Sequence, residues 1–508
     1  MSTADKVRPL EEVSRIVASL KAEGKKVVQT HGVFDLLHIG HIRHFEQARQ
    51  LGDVLVVTLT ADQFVNKGPN RPAFPQSLRA EAIAALGMVD FVAINHAPLA
   101  VDAITCLRPN FYVKGQDYAV ADDDRTGGIV HEEEAVRAVG GEIRFTDDIT
   151  FSSSTLLNQF FSSLPPAVND FLRDFRSHHS AGSIVDALDS FRALKVLVVG
   201  EAILDEYVYG DVIGKSGKEP ILALRYDSKE IHAGGALAIA NHLAQFCDTV
   251  DLITYLGETD SQEAFVRSQL APNVQPSFIF KSDSPTIVKR RYVEQYLVQK
   301  LLEVYHINDE PLNEVEDAQL CAELRSRVAD YDVVIVADYG HGLVSPAAIK
   351  VLSSRAAFLA VNTQINAANI GFHTISKFRR ADYVCIHEGE LRLDHRSRRG
   401  EIEPLINRMV DELGCQTAMV TRGKSGNLVF RQDQGFVECP AFAIKVVDRV
   451  GAGDAVLALT TLAAARGCPS DVIGFLGNVV GAQAVTIVGN ARSIDRIALI
   501  RTIETLLK

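Results

Sequence analysis

The sequence predicts an α/β protein made of two successive domains, each a largely parallel sheet covered by helices. Three observations predict it. Short apolar segments alternate with helical ones from Lys25 onward. The same alternation resumes at Lys195 after a stretch of different composition. And a chain of 508 residues exceeds what one ordinary core organises.

The elements follow in order. Residues 1–24 read as an N-terminal extension. KKVVQT at 25–30 is a short strand, and the stretch 38–52 is a helix ended by Gly52. DVLVVTLT at 53–60, FVAIN at 91–95 and FYVKG at 111–115 are further strands. This first domain, 25–158, closes near Asn158. Residues 159–193 contain Pro165-Pro166, His178-His179 and several serines, and read as a partly helical connector. The second domain, 194–508, opens with VLVVGEAILD and continues through DVVIVADYG, DYVCIH and TAMVTRG. The two halves do not repeat each other, so the chain reads as a fusion and not a duplication.

Composition narrows the function class. Apolar residues at 47% and charged residues at 23% suit a globular protein. The formal charge is 52 − 64 = −12, with no long basic run, which argues against non-specific nucleic-acid binding. No apolar run reaches the roughly 18 residues of a membrane span, and the first twenty residues lack a signal-peptide pattern. Seven scattered cysteines without a CxxC spacing read as reduced thiols, hence a cytoplasmic protein. Small phosphorylated ligands remain compatible with all of this.

The first motif runs from Thr30 to His41, with His31, Gly32, Val33, Phe34, Asp35, His38 and Gly40 between them. It follows a strand and opens a helix. A helix N-terminus offers unpaired N–H groups and the positive dipole end, which suit a phosphate. Two imidazoles separated by Ile-Gly can both face that phosphate, and Gly40 lets a nucleotide approach the backbone. The segment resembles the Rossmann-like, cytidylyltransferase-like nucleotidyltransferases, whose strand carries G-x-F-D and whose next turn carries H-x-G-H. Lys67-Gly68, Arg71-Pro72, Arg79, Lys114-Gly115, Asp117-Tyr118 and the run Ser152, Ser153, Ser154, Thr155 extend the likeness. The set resembles the adenylyltransferase half of the bifunctional heptose-phosphate enzymes of lipopolysaccharide precursor synthesis; the motif alone also resembles glycerol-phosphate cytidylyltransferases.

That resemblance implies attack by a sugar phosphate oxygen on the α-phosphorus of a nucleoside triphosphate, with release of pyrophosphate. It implies that His38 and His41 stabilise the α-phosphate. Ser152, Ser153, Ser154 and Thr155 would hold the β- and γ-phosphates, with Lys67 as a clamp. Thr30, Gly32, Phe34, Gly40 and Arg79 would complete the nucleotide site. Asp35 reads equally as a turn-bonding residue. His44 reads as a plain helix residue. His31 departs from the family's residue types and points to the acceptor side.

The second motif is Asp448-Arg449-Val450-Gly451-Ala452-Gly453-Asp454 before an apolar helix. Small residues let backbone N–H groups face a transferring phosphoryl group. Asp454 then stands at a helix start, placed to take a proton from a hydroxyl. The stretch resembles the D-T-x-G-A-G-D signature of ribokinase-type (PfkB) carbohydrate kinases. By the same resemblance Asp205, Gly234, Gly235, Asn241, Lys289, Arg291 and Asp338 are sugar-binding. Thr421, Gly423 and Gly426 join Gly451, Ala452 and Gly453 at the nucleotide and its phosphates, and Glu390 helps organise a metal indirectly. Glu219-Pro220 belongs to a small β-lid used for closure and dimer contact. The implied ligands are Mg²⁺ or Mn²⁺, ATP or CTP, and sugar phosphates; the implied assembly is a homodimer or higher oligomer, with no nucleic-acid or membrane partner.

Five positions depart from the signature. Arg449 replaces Thr, His341 replaces Lys, Asn362 stands where D-P-K is usual, His387 replaces the Asn of N-x-x-E, and Glu201 replaces Asp. The order of halves is also the reverse of that in the heptose-phosphate enzymes. Two readings follow. In one, both halves are active on a heptose-like sugar. In the other, the nucleotidyltransferase acts while the kinase-like half binds sugar phosphate or regulates.

Overall fold

A computed structural model describes residues 3–65, 71–115, 128–146, 164–296, 298–367 and 369–508. The chain divides into two compact units, Met1–Pro165 with Ile500–Lys508, and Pro166–Leu499.

The first unit holds five parallel strands: β1 Val27–Gly32, β2 Val54–Thr60, β3 Phe91–Asn95, β4 Phe111–Gly115 and β5 Glu142–Thr146. Their order is β3-β2-β1-β4-β5, which puts β1 in the centre. β2 is buried at every position, and so reads as a continuous apolar run with no alternation. Val28, Leu55 and Val57 pack on Phe45 and Ile83. A second cluster joins Val27, Val54 and Val56 to Val13 and Val17 of the helix Leu10–Ala22. The N-terminal extension therefore covers this sheet. Its helix has Glu11 and Glu12 in the first turn and Lys21 in the last, matching the helix dipole.

The second unit holds a nine-stranded sheet and a four-stranded one. Its strands are β6 Val196–Gly200, β7 Ala202–Lys215, β8 Leu222–Gly235, β9 Val250–Gly257, β10 Val274–Lys281, β11 Ile287–Glu294, β12 Gln299–His306, β13 Val333–Asp338, β14 Leu359–Thr363, β15 Tyr383–His387, β16 Thr417–Thr421, β17 Asn427–Arg431 and β18 Gly435–Cys439. The large sheet runs β10-β9-β6-β13-β14-β15-β16-β17-β18. It is parallel as far as β16, and β17 and β18 return antiparallel. The small sheet, β12-β11-β7-β8, is the expected lid. Under the large sheet lies the helix Ala452–Ala465, buried from Asp454 through Ala463.

The segment 159–193, read above as a connector, holds the helices Pro166–His178 and Ala181–Ser190. Phe175 stacks on Phe475 at 4.5 Å, and His179 Nε2 lies 2.7 Å from Asp471. Both helices belong to the second unit.

Candidate active sites

In the first unit β1 ends at Gly32 and the chain turns through Phe34, at φ +48°. The Phe34 ring meets His41 edge-on at 5.2 Å and Phe45 at 5.1 Å. His38 is extended and stands immediately before the helix Ile39–Gln50. Its imidazole stacks on that of His41 at 3.9 Å. The motif thus sets two rings side by side at a helix N-terminus, where an anion is favoured. Gly40 lies in the first turn of that helix.

Other members of the predicted set are used within the protein. Thr30 was expected at the nucleotide; its hydroxyl lies 2.6 Å from His44 Nε2, whose Nδ1 lies 2.9 Å from Thr146 Oγ1. His44 is thus a bridge from β1 to β5. Arg79 was also expected at the nucleotide, yet only 2% of it is exposed. It donates to the carbonyls of Val33, Phe74 and Thr60 and to Asp62 Oδ1. A buried guanidinium needs such acceptors, so Arg79 holds the loop. Asp35 does the same from the other side, accepting from Arg71 Nη1 at 3.1 Å and Ala73 N at 2.6 Å. His31 is flanked by two β2 hydroxyls, Thr58 at 3.0 Å and Thr60 at 3.2 Å. Burial, with Lys114 nearby, lowers it to about 4, so it is neutral at pH 7. Lys114 pairs with Glu132 at 2.7 Å. Lys67 and Ser152, Ser153, Ser154 and Thr155 lie outside the described residues.

In the second unit Asp454 sits in the first turn of the helix Ala452–Ala465, directly after Gly451-Ala452-Gly453. Gly451 has φ +81°, and a Cβ there would meet Asn490 Oδ1 at 2.0 Å, so only glycine fits. Tyr339 Oη donates to Asp454 Oδ1 at 2.8 Å, and Gln364 Nε2 at 3.0 Å. Burial, with Asp205 adding to it, raises the carboxyl to about 6 against these bonds.

Asp205 accepts from Arg291 Nη1 at 2.5 Å and from Asn490 Nδ2 at 3.2 Å. A Cβ at Gly234 would lie 2.1 Å from Asp205 Oδ2, so the glycine makes room for that carboxylate. Gly235 stands at the start of the helix Ala236–Leu243. Lys289 is buried on β11, its ammonium 5.3 Å from the Tyr305 ring; burial lowers its pKa. Arg291 and Asp205 are directly bonded, and Asp205, Glu201 and Asp454 favour the Lys289 ammonium while Arg291 opposes it.

Asn241 was expected at the sugar. Its amide donates to Gln269 O at 2.9 Å and accepts from Ala271 N at 2.8 Å. It ties down that loop, and both ends of the amide are occupied. Asp338 is buried and paired with Lys377 and with His373 at 3.3 Å, so it too is held inside the protein. Glu201 accepts from the backbone of Tyr339, His341 and Leu343 and thereby shapes the loop after β13. Glu390 accepts from Ile365 N at 3.1 Å and His387 N at 2.9 Å, and burial raises it to about 7. Thr421 ends β16, and Gly423 and Gly426 form the turn that follows.

Sequence reasoning missed four partners. Tyr339 lies in the stretch DVVIVADYG and Gln364 two residues after Asn362, both without a role, and Asn490 lies outside the motifs. Asp448 belongs to the signature. It accepts from Tyr207 Oη at 2.9 Å, Lys300 Nζ at 2.5 Å, Val450 N at 3.1 Å and Gly489 N at 3.0 Å. Two of those donors come from the lid. No group of three or more His, Cys, Asp or Glu side chains suited to a metal occurs among the described residues.

Comparison with known proteins matches the same division. The cytidylyltransferase-like family matches residues 30–159, and the pfkB family of carbohydrate kinases matches residues 193–496. "Bifunctional protein HldE" of Shewanella piezotolerans is 27% identical over 322 residues, 63% of this chain and 65% of that protein. The protein of the same name from Geobacter sulfurreducens is 38% identical over 152 residues, 30% of each. The chain thus spans less than two thirds of the length of these relatives. Among solved structures, the tetrameric inhibited form of phosphofructokinase-2 from Escherichia coli aligns with a TM-score of 0.51 at 15% identity. It covers 62% of this chain and 100% of that one, which shows a shared fold.

Proposed function

The chain belongs to the pfkB family of carbohydrate kinases, with a cytidylyltransferase-like domain ahead of the kinase domain, and from that premise we propose a bifunctional sugar-activating enzyme. Its kinase half phosphorylates a heptose-like sugar or sugar phosphate. Its first half joins a nucleotidyl group from ATP or CTP to a sugar 1-phosphate and releases pyrophosphate. The observation that carries the reading is Asp454, a buried carboxylate directly behind Gly451-Ala452-Gly453.

At pH 7 a carboxyl raised to about 6 is mostly ionised yet basic enough to accept a hydroxyl proton. The backbone N–H groups of 451–453 take the transferring phosphoryl group, and Asp205, Gly234, Gly235, Lys289 and Arg291 define the sugar pocket. In the first unit the incoming phosphate oxygen forms a bond to the α-phosphorus as the bond to pyrophosphate breaks. His38 and His41 stabilise the charge that develops there. Lys67, Ser152, Ser153, Ser154 and Thr155 hold the departing phosphates.

A divalent ion fits as one carried by the nucleotide's phosphates with its own waters. Both oxygens of Glu390 already accept backbone N–H groups, so this residue would act on Mg²⁺ or Mn²⁺ through water. Bound there, the ion would neutralise phosphate charge.

The seven cysteines are free and six are buried, which supports a reducing, cytoplasmic setting. No helix among the described residues is long and apolar enough to cross a membrane. Exposed Ile213, Ile221, Leu222 and Tyr226 on the lid support a homodimer formed through it.

A second reading keeps the nucleotidyltransferase and makes the kinase-like half a sugar-phosphate-binding module. It draws on Asn362, whose amide donates to Cys385 O at 2.7 Å, and on His387, which caps its own helix. ATP consumption with hexoses, heptoses and their phosphates separates the two. Equal behaviour of wild type and Asp454→Asn on every sugar removes the kinase. Mass spectrometry of products from mixed nucleotides and sugar phosphates identifies base and acceptor, a polyol phosphate included.

A further inference from the structure

The two carboxylate oxygens of Asp454 have different surroundings. Oδ1 accepts from Tyr339 Oη at 2.8 Å and from Gln364 Nε2 at 3.0 Å. Among the described residues no hydrogen bond reaches Oδ2. A carboxylate oxygen has room for about two donors, so Oδ1 is filled.

Both donors are themselves held from behind. Tyr339 N donates to Glu201 Oε2 at 3.0 Å, and its carbonyl accepts from Asn366 Nδ2 at 2.9 Å and Asn369 Nδ2 at 3.1 Å. Gln364 N donates to Asp338 O at 3.0 Å, and the next residue, Ile365, donates to Glu390. Burial and the neighbouring Asp454 keep the Tyr339 phenol protonated, so it donates throughout. The Glu201 carboxylate and the Asp338 backbone carbonyl thus fix these two donors, and Glu390 holds the residue that follows Gln364.

We propose that Tyr339 and Gln364 are positioning residues that occupy Oδ1 of Asp454 and so turn Oδ2 toward the substrate hydroxyl. The claim rests on the reading of Asp454 as the base of the kinase half. In the step, the hydroxyl O–H bond breaks and its proton ends on Oδ2. The freed oxygen bonds to the γ-phosphorus as the bond to the nucleoside diphosphate breaks. The two donors also favour the ionised carboxylate, against burial and Asp205.

The test uses the full chain with aspartate labelled at its carboxyl carbon, the Asp454 signal being identified by its loss in Asp454→Asn. Tyr339→Phe and Gln364→Met each remove one donor at nearly constant volume. Each raises the titration midpoint of Asp454 by about one pH unit, a tenfold change in proton affinity, and the double variant raises it further. On a sugar that wild type phosphorylates, kcat falls about tenfold or more at pH 7, KM is unchanged, and the acid limb of the pH profile moves up with the midpoint. A midpoint that stays in place in both single variants overturns the proposal. If Tyr339→Phe does not fold, Gln364→Met alone decides it. If wild type phosphorylates no sugar, the kinase reading falls, while the carboxyl titration still decides whether the two donors hold Asp454.

Discussion

The two units set their motifs alike, at a helix N-terminus, but hold the surrounding loops differently. In the first, a buried cation and an anion share the loop: Arg79 supplies the carbonyls of Val33, Phe74 and Thr60, and Asp35 accepts from Ala73 N. In the second, anions accept from the loops: Glu201 gathers the N–H groups of Tyr339, His341 and Leu343, and Glu390 those of Ile365 and His387. What each scaffold leaves for a ligand differs accordingly, a pair of imidazoles in one and a carboxylate in the other. A charged residue in a motif therefore says little about ligand contact until its partners inside the protein are counted.

The largest test of this contrast exchanges the two chemistries. Asp454→Asn lowers sugar phosphorylation by about 10²–10⁴-fold, the usual worth of a general base, and leaves pyrophosphate release intact. His41→Ala lowers pyrophosphate release by about 10²–10³-fold, the scale of a lost charge-stabilising donor, and leaves phosphorylation intact. Coupled assays for ADP and pyrophosphate read both; either variant damaging both reactions breaks the comparison.

Next comes the scaffold. Arg79→Met strands three carbonyls and Asp62, and lowers the stability of the first unit by about 3–5 kcal/mol. Glu201→Gln keeps one acceptor oxygen and lowers the second unit by about 1–3 kcal/mol. Urea unfolding of the full chain measures both, and an Arg79→Met protein as stable as wild type would free that residue for the nucleotide.

A pH series is smaller. His31 titrates at about 4 in the folded chain and near 6.5 when unfolded, so the folded state binds fewer protons between these values. Its contribution is complete above pH 6.5 and is lost as pH falls toward 4. Between pH 7 and pH 5 the loss is about 2 kcal/mol. His31→Asn removes that part of the slope; an unchanged slope assigns it to other groups.

The smallest effect belongs to Asn241→Ala. The loop at Gln269 and Ala271 loses two bonds and the unit about 1–2 kcal/mol, with KM for the sugar unchanged. A raised KM at unchanged stability would return Asn241 to the sugar site.

Much of this was legible in the sequence, for identifiable reasons. β2 and β13 are buried at every position, so they stand out as apolar runs. His38 with His41, and Gly451 with Asp454, are close in sequence and need no tertiary information. The rest depends on distance along the chain. Tyr339 and Gln364 reach Asp454 across 115 and 90 residues; both lie in stretches the motifs touch, but no local pattern pairs them with Asp454. Asn241 follows a glycine pair on the right helix but faces the loop at its far end. Thr30 opens the motif, yet its hydroxyl turns to His44. The helices of 166–190 did carry a signal, Phe171 and Phe175 one turn apart, hidden by the Pro, Ser and His around them.

Asp448 carries one more consequence. Its carboxylate is shared between the lid, through Tyr207 and Lys300, and the phosphate loop, through Val450. Lifting the lid takes two of its four donors from an anion that is otherwise 7% exposed. Lys300 is the water-facing member, its side chain 33% exposed, and that contact weakens with dissolved ions. Dissolved ions therefore act on this lid contact before they act on the bonds that Val450 and Gly489 make to the same carboxylate.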